Sequence, residues 1–112
     1  MTSFPVESRS STPEGSRRFR VRIPEDSPFF AGHFPDDPVL PAVAQFALQV
    51  QLLEEVFGPR ARLAGVRVVR FRAPVGPGDV LDVVLDGEGD GEVGVTAQRE
   101  GTVVLEGRLR LA

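Results

Sequence analysis

A single helical segment stands in a chain otherwise patterned for strands. The helix is expected to start near Pro41, because proline is tolerated in the first turn of a helix, and to stop at Gly58-Pro59, an ordinary stop signal. Between these limits Val43, Phe46, Ala47, Val50, Leu53 and Phe57 form one apolar stripe. Leu48, Leu52 and Val56 form a second stripe on nearly the opposite side. A helix at the surface of a globular protein normally carries one apolar face. Two faces require cover on both sides, by a sheet wrapped around the helix and by a second subunit.

The remaining segments supply the sheet. Phe19, Val21 and Ile23 alternate with Arg18, Arg20 and Arg22 until Pro24, the period-2 signature of a half-buried strand. Beyond the helix, residues 63–75 carry Val66 and Val68, then Val69 and Phe71, a change of phase that predicts a bulge. Residues 79–86 place Leu81, Val83 and Leu85 on one side, and residues 92–99 place Val93, Val95 and Ala97 there. Residues 102–111 offer Val103, Leu105, Leu109 and Leu111. Gly76-Pro77-Gly78, the stretch from Gly87 to Gly91, and Glu100-Gly101 provide the turns. The order is one strand, one long helix, then four strands in antiparallel succession. This is an α+β chain, and the order is not that of a nucleotide-binding βαβ crevice.

With 112 residues there is room for one domain. Residues 1–16 are rich in Ser, Thr, Pro and Glu and lack periodicity, so a loose, disordered tail is expected there and the domain over 17–112. The net charge of −3 gives no reason to expect nucleic-acid binding. The arginines fall on strand-like segments opposite acidic residues, as solvated faces do. The absence of cysteine removes disulfides, thiolate nucleophiles and zinc–sulfur sites, and is compatible with the cytoplasm, the expected location. No run approaches the roughly 20 apolar residues of a membrane span, and no secretory signal is visible, so no membrane association is expected. No metal or cofactor is expected either.

The loop before the helix is unusual. Residues 25–41 hold four prolines (Pro28, Pro35, Pro38 and Pro41) together with Phe29, Phe30, Phe34, Val39 and Leu40. A loop that is both apolar and proline-stiffened is expected to pack against something. Its core, Phe30-Ala31-Gly32-His33-Phe34-Pro35-Asp36-Asp37-Pro38-Val39-Leu40-Pro41-Ala42-Val43, resembles the signature of the bacterial β-hydroxyacyl-acyl-carrier-protein dehydratases, roughly G-H-F-P-x-x-P-x-x-P-G-V leading into a long helix. Arg70-Phe71-Arg72-Ala73-Pro74-Val75-Gly76-Pro77-Gly78-Asp79 looks like that family's R-F-x-x-P-V-x-P-G-D segment, in the expected place after the helix. Val43-Ala44-Gln45 is similar to the dehydratase-like proteins of aryl polyene clusters. The resemblance spans about residues 17–112. It implies a hotdog fold, a curved antiparallel sheet wrapped around one helix. It also implies a dimer whose sheets join, with active sites at the interface.

The chemistry implied is the dehydration of a 3-hydroxyacyl thioester to the trans-2-enoyl thioester in fatty-acid or polyketide-type synthesis, with an acyl carrier protein favoured over coenzyme A as carrier. Such a reaction needs a base near neutral pKa, an acid for the departing oxygen, and donors for the developing enolate. His33 is the only histidine, and the family's matching histidine is the general base. Where the family has a glycine whose N–H polarises the thioester carbonyl, this chain has Ala42; the N–H and the helix dipole survive the exchange. Gly32 and Val43 complete the expected substrate contacts. The family's helix acid, four residues after the valine, is replaced by Ala47. Gln45 and Gln49 are expected on another side of the helix, and an amide is not a useful acid. Glu54 shares the face of Ala47 but lies ~10 Å along the axis. Asp36 and Asp37 are the remaining candidates for the acid. The missing group also admits a non-catalytic hotdog subunit, or an acyl-thioester-binding partner in a heterodimer with another hotdog subunit.

Overall fold

A computed structural model describes residues 3–30, 38–58, 62–87 and 91–111. Six strands and one long helix follow in the order β1 (Val6–Ser11), β2 (Arg17–Arg22), α1 (Ala42–Phe57), β3 (Leu63–Phe71), β4 (Val80–Asp86), β5 (Glu92–Arg99) and β6 (Thr102–Leu111). A short 3-10 turn at Pro28–Phe30 precedes the helix. The strands form one sheet ordered β1-β2-β4-β5-β6-β3, with every neighbouring pair antiparallel. No described helix is long and apolar enough to cross a membrane.

The alternation read from the sequence decides which side of the sheet meets the helix. Phe19 and Val21 of β2, Leu81, Val83 and Leu85 of β4, and Val93, Val95 and Ala97 of β5 are all buried in one cluster. Leu105 and Leu109 of β6 join them, as do Ala44, Leu48, Leu52 and Leu53 of α1. The opposite face is laced with ion pairs that run across the strands. Arg20 meets Asp82 across β2 and β4, Glu92 is shared by Arg67 and Arg108, and Arg72 pairs with Glu106. Such exposed pairs contribute little each; they keep the outer face wet.

The helix has the predicted limits, with Pro41 at its N-cap and Gly58 at its C-cap. Gly58 has φ +93° and donates its N–H to the Glu54 carbonyl at 2.8 Å, a conformation open to glycine at little cost. Its two apolar sides differ in cover. The Leu48 and Leu52 side faces the sheet and also takes in Gln45, Gln49 and Leu53. Along the other side Phe46, Ala47 and Val50 are only half-buried and Val43 is 70% exposed.

Two expectations need correction. The tail expected over 1–16 contains a strand: β1 pairs with β2, which makes the sheet six-stranded where the sequence pointed to five. β1 is an edge strand, and from Glu7 to Ser11 every residue is exposed. Polar edge strands have no apolar alternation to betray them. In β6 the inward residue is Val104 rather than Val103, because Ala97 pairs with Leu105 while Gln98 pairs with Val103, leaving Val104 as the extra residue of a bulge. The bulge predicted in β3 is present, where pairing passes from Val66 to Val68 and skips Arg67. Next to it, opposite Val69, Gly107 allows the β3 backbone to come close: a Cβ there would lie 2.5 Å from the Val68 carbonyl oxygen.

Candidate active site

The two sequence motifs meet at the start of α1. Leu40, almost fully buried, donates its N–H to the Val75 carbonyl at 2.7 Å and so ties the end of the first motif to the second. Pro41 then takes an extended conformation (φ −68°, ψ 158°), and its carbonyl accepts the N–H groups of Ala44 and Gln45 at 3.0 and 3.2 Å. The N–H groups of Ala42 and Val43 come before these and have no carbonyl within the helix to reach. Among the described residues no side chain caps this end. The result is a pair of first-turn donors at the positive end of the helix dipole.

A cleft of about 370 Å³ opens beside these donors. Residues 39–42 and Gln45 line one side, and residues 71–74 line the other. The second wall is held from behind. Asp79 accepts the Gly76 N–H at 2.8 Å and an Arg99 N–H at 3.0 Å, and Arg99 also donates to the Pro74 carbonyl at 2.6 Å. Gly78, at φ +81°, lets the chain close this turn. The carbonyl of Val104, turned by its bulge, accepts the Arg72 N–H at 2.8 Å. Each of these contacts fixes backbone, which is what the wall of a binding cleft needs.

Phe46 and Phe71 meet edge to face, with ring centroids 6.1 Å apart, and join helix to strand near the cleft. Gln45 is 7% exposed and donates from Nε2 to the Leu40 carbonyl at 3.2 Å. Gln45 is expected on another side of the helix, but the structure puts it in the cleft wall. Its spacing of three from Ala42 was the available signal, since residues three apart share a helix face. One turn on, Gln49 is 4% exposed, and its Oε1 finds no hydrogen-bond donor among the described residues. Arg99 carried no sequence signal at all.

Of the residues expected in the site, Ala42 lines the cleft, while Val43 is 70% exposed and is not among the residues that line it. Ala47 occupies the half-buried flank of α1, and Glu54 is exposed. Gly32, His33, Asp36 and Asp37 lie outside the described residues. Among the described residues no group of three His, Cys, Asp or Glu side chains is placed to hold a metal ion. The shifted ionisations lie elsewhere. Hydrogen bonds from Arg108 and Arg67 hold Glu92 below the usual carboxylate range, and the hydrogen bond from Arg9 does the same for Glu55. A larger concavity of about 450 Å³ lies on the outer face of the sheet, among Arg70, Asp86, Glu106 and Arg108. It does not border the helix start, and its walls take part in the ion-pair lacing of that face, so the smaller cleft is the better candidate.

A long helix wrapped by one antiparallel sheet, with a cleft at the helix start, is the hotdog architecture. Residues 9–108 match the family model for ApeI-like proteins (ApeI dehydratase). The chain belongs to this ApeI-like dehydratase family. It is 38% identical over 111 aligned positions to the 3-hydroxyacyl-[acyl-carrier-protein] dehydratase FabZ of Caldicellulosiruptor bescii, covering 88% of this chain and 79% of the relative. The FabZ of Thermus thermophilus is 40% identical over 115 positions, covering 81% of this chain and 80% of the relative. Among solved structures, the dehydratase heterocomplex ApeI:P from Xenorhabdus doucetiae superposes with a TM-score of 0.84 at 20% identity over 99% of both chains. An uncharacterized protein from Erwinia carotovora subsp. atroseptica superposes with a TM-score of 0.80 at 22% identity, over 100% of this chain and 96% of the other. These structural likenesses establish the hotdog fold.

Proposed function

We propose that the protein dehydrates a 3-hydroxyacyl thioester, carried on an acyl carrier protein, to the trans-2-enoyl thioester. The observation that carries this reading is the convergence of residues 39–42 and 71–74 on one cleft beside helix N–H donors that find no acceptor among the described residues. Those are the segments of the two dehydratase motifs, and the relatives named 3-hydroxyacyl-[acyl-carrier-protein] dehydratase cover most of the chain. The thioester carbonyl accepts from the N–H groups of Ala42 and Val43, where the helix dipole stabilises the charge of an enolate. His33 takes the proton from C2, the C3–O bond breaks, and a proton donated to the leaving hydroxyl releases water. With alanine at 47, that proton comes from Asp36 or Asp37. Gly32 is a further substrate contact in this reading.

The assembly follows from the uncovered side of the chain. Among the described residues β3 ends the sheet with its outer backbone edge unpaired, and Val66, Val68 and Phe71 on it are exposed, as is Val43 of α1. An open edge flanked by exposed apolar side chains favours pairing with another such edge. A second hotdog chain, identical or different, fits this surface. Ala47 and the likeness to a dehydratase heterocomplex favour a second reading, in which this chain is the non-catalytic or acyl-binding half of a heterodimer. Purified alone, the chain should convert 3-hydroxyacyl carrier-protein substrates to enoyl products. An inactive chain that gains activity only when a second hotdog subunit is added would establish the heterodimer reading instead.

A further inference from the structure

We propose that the N-terminal segment clamps the approach to the His33 loop, with Phe4 and Gln51 as positioning residues. The proposal rests on the reading of His33 as the base. Phe4 lies upstream of the family match, which begins at residue 9, so nothing in that match accounts for it.

Phe4 is only 3% exposed, although β1, which follows it, is almost wholly solvent-facing. Its two backbone polar groups are both satisfied by one side chain. The Phe4 N–H donates to Gln51 Oε1 at 2.8 Å, and Gln51 Nε2 donates to the Phe4 carbonyl at 2.8 Å. A carboxamide here makes the reciprocal pair of bonds that a neighbouring strand would make, and it fixes Phe4 against the flank of α1. One helical turn further on, Glu55 pairs with both Nε and Nη2 of Arg9, so the segment runs along one row of the helix. On its other side the Pro5 carbonyl accepts the Arg22 N–H at 3.1 Å.

The Phe4 ring held in this way stacks on Phe29, with centroids 5.8 Å apart and an interplanar angle of 11°. Phe29 sits in the 3-10 turn from which the chain enters the His33 loop. The hydrogen bonds at Phe29 and Phe30 among the described residues are local, to Ser27. The far end of the loop is fixed by Leu40, through its N–H to Val75. Phe4 therefore supplies at the departing end what Leu40 supplies at the returning end, an anchor on a distant part of the chain. His33 follows Phe30 by three residues. Misplacement of a catalytic group by about 1 Å costs on the order of a hundredfold in rate. Loss of the clamp should thus act on turnover more than on substrate binding.

The single histidine gives a direct readout, because its imidazole proton resonance needs no assignment. The full-length chain is compared with Gln51→Leu, which removes both clamp bonds, with Phe4→Leu, which keeps an apolar side chain but not the flat ring, and with Arg9→Met as control. Each is studied well below its melting temperature, in the assembly that is active. The expected result is a shifted or broadened histidine resonance in Gln51→Leu and Phe4→Leu, with kcat lower by about tenfold or more and KM within about threefold of wild type. Arg9→Met should leave resonance and kcat unchanged. Histidine resonances that superimpose on wild type in either folded clamp variant overturn the proposal, as does an equal shift in Arg9→Met. If the wild type shows no dehydratase activity, the reading of His33 as base fails, while the resonance still decides whether the clamp reaches the loop.

Discussion

Gln49→Met should make the protein more stable. Gln49 is 4% exposed on the sheet-facing side of α1, and its Oε1 has no donor among the described residues. A buried carbonyl without a partner costs about 1–3 kcal/mol relative to the hydrated unfolded chain. Methionine follows the same unbranched path as glutamine, so the exchange opens no large cavity and forces no new branch into the core. The two residues have nearly equal helix propensity and similar side-chain entropy. The difference therefore resides in the amide, and a gain of about 1–2 kcal/mol is expected. With a urea m-value of ~2 kcal/mol/M, the unfolding midpoint should rise by roughly 0.5–1 M at unchanged m. Equilibrium urea unfolding followed by circular dichroism measures this. A midpoint lower by about 0.5 M or more at unchanged m refutes the reasoning, because it means that Oε1 holds a hydrogen bond whose loss is being read.

Three further outcomes follow from the structure. Gly107→Ala sets a Cβ 2.5 Å from the Val68 carbonyl oxygen and 2.9 Å from Val69 Cγ2, so it should cost roughly 2–3 kcal/mol in thermal or urea unfolding and loosen β3, seen as faster amide exchange along that strand. Glu92→Gln should destabilise the protein at neutral pH. Arg108 and Arg67 lower the folded-state pKa of Glu92, so its contribution is fully present above the unfolded value and is lost as pH falls through the folded value. The gap between variant and wild type in unfolding curves should close on acidification and shrink in high salt. Ala47→Glu restores a carboxyl on the half-buried flank of α1, where burial raises its pKa and helps it stay protonated. Turnover should rise by about tenfold or more if the rest of the site is intact, at a stability cost of roughly 1 kcal/mol; a folded variant with no gain, tested with several acyl lengths and both carriers, favours the non-catalytic reading.

The parts of the fold that were legible in the sequence share a cause. Pro41 and Gly58-Pro59 mark the helix because each acts on the backbone at its own position. Leu81, Val83 and Leu85 betray β4 because that strand is buried on one face only. β1 was illegible because it is a polar edge strand, and its anchoring residue, Phe4, lies outside the strand it fixes. Val104 was misread for Val103 because a bulge moves the inward position by one residue without leaving a local mark. In the cleft, Ala42 stands out by its place in the motif, whereas Gln45 was missed although its spacing of three from Ala42 sets both on one helix face. Arg99 was not readable, since it meets Asp79 and Pro74 only when β5 pairs beside β4. Motifs bring out residues that line the cleft more readily than those that hold its wall in place.

The central claim is that His33 removes the proton in a 3-hydroxyacyl thioester dehydration at the α1 cleft. It is tested most directly by measuring enoyl product from a 3-hydroxyacyl carrier-protein substrate with wild-type protein and with His33→Ala, in whichever assembly is active. A general base contributes about 10²–10⁴ in rate. His33→Ala should keep its fold and substrate affinity while kcat falls by that factor. A folded His33→Ala protein that turns over at the wild-type rate would contradict the claim.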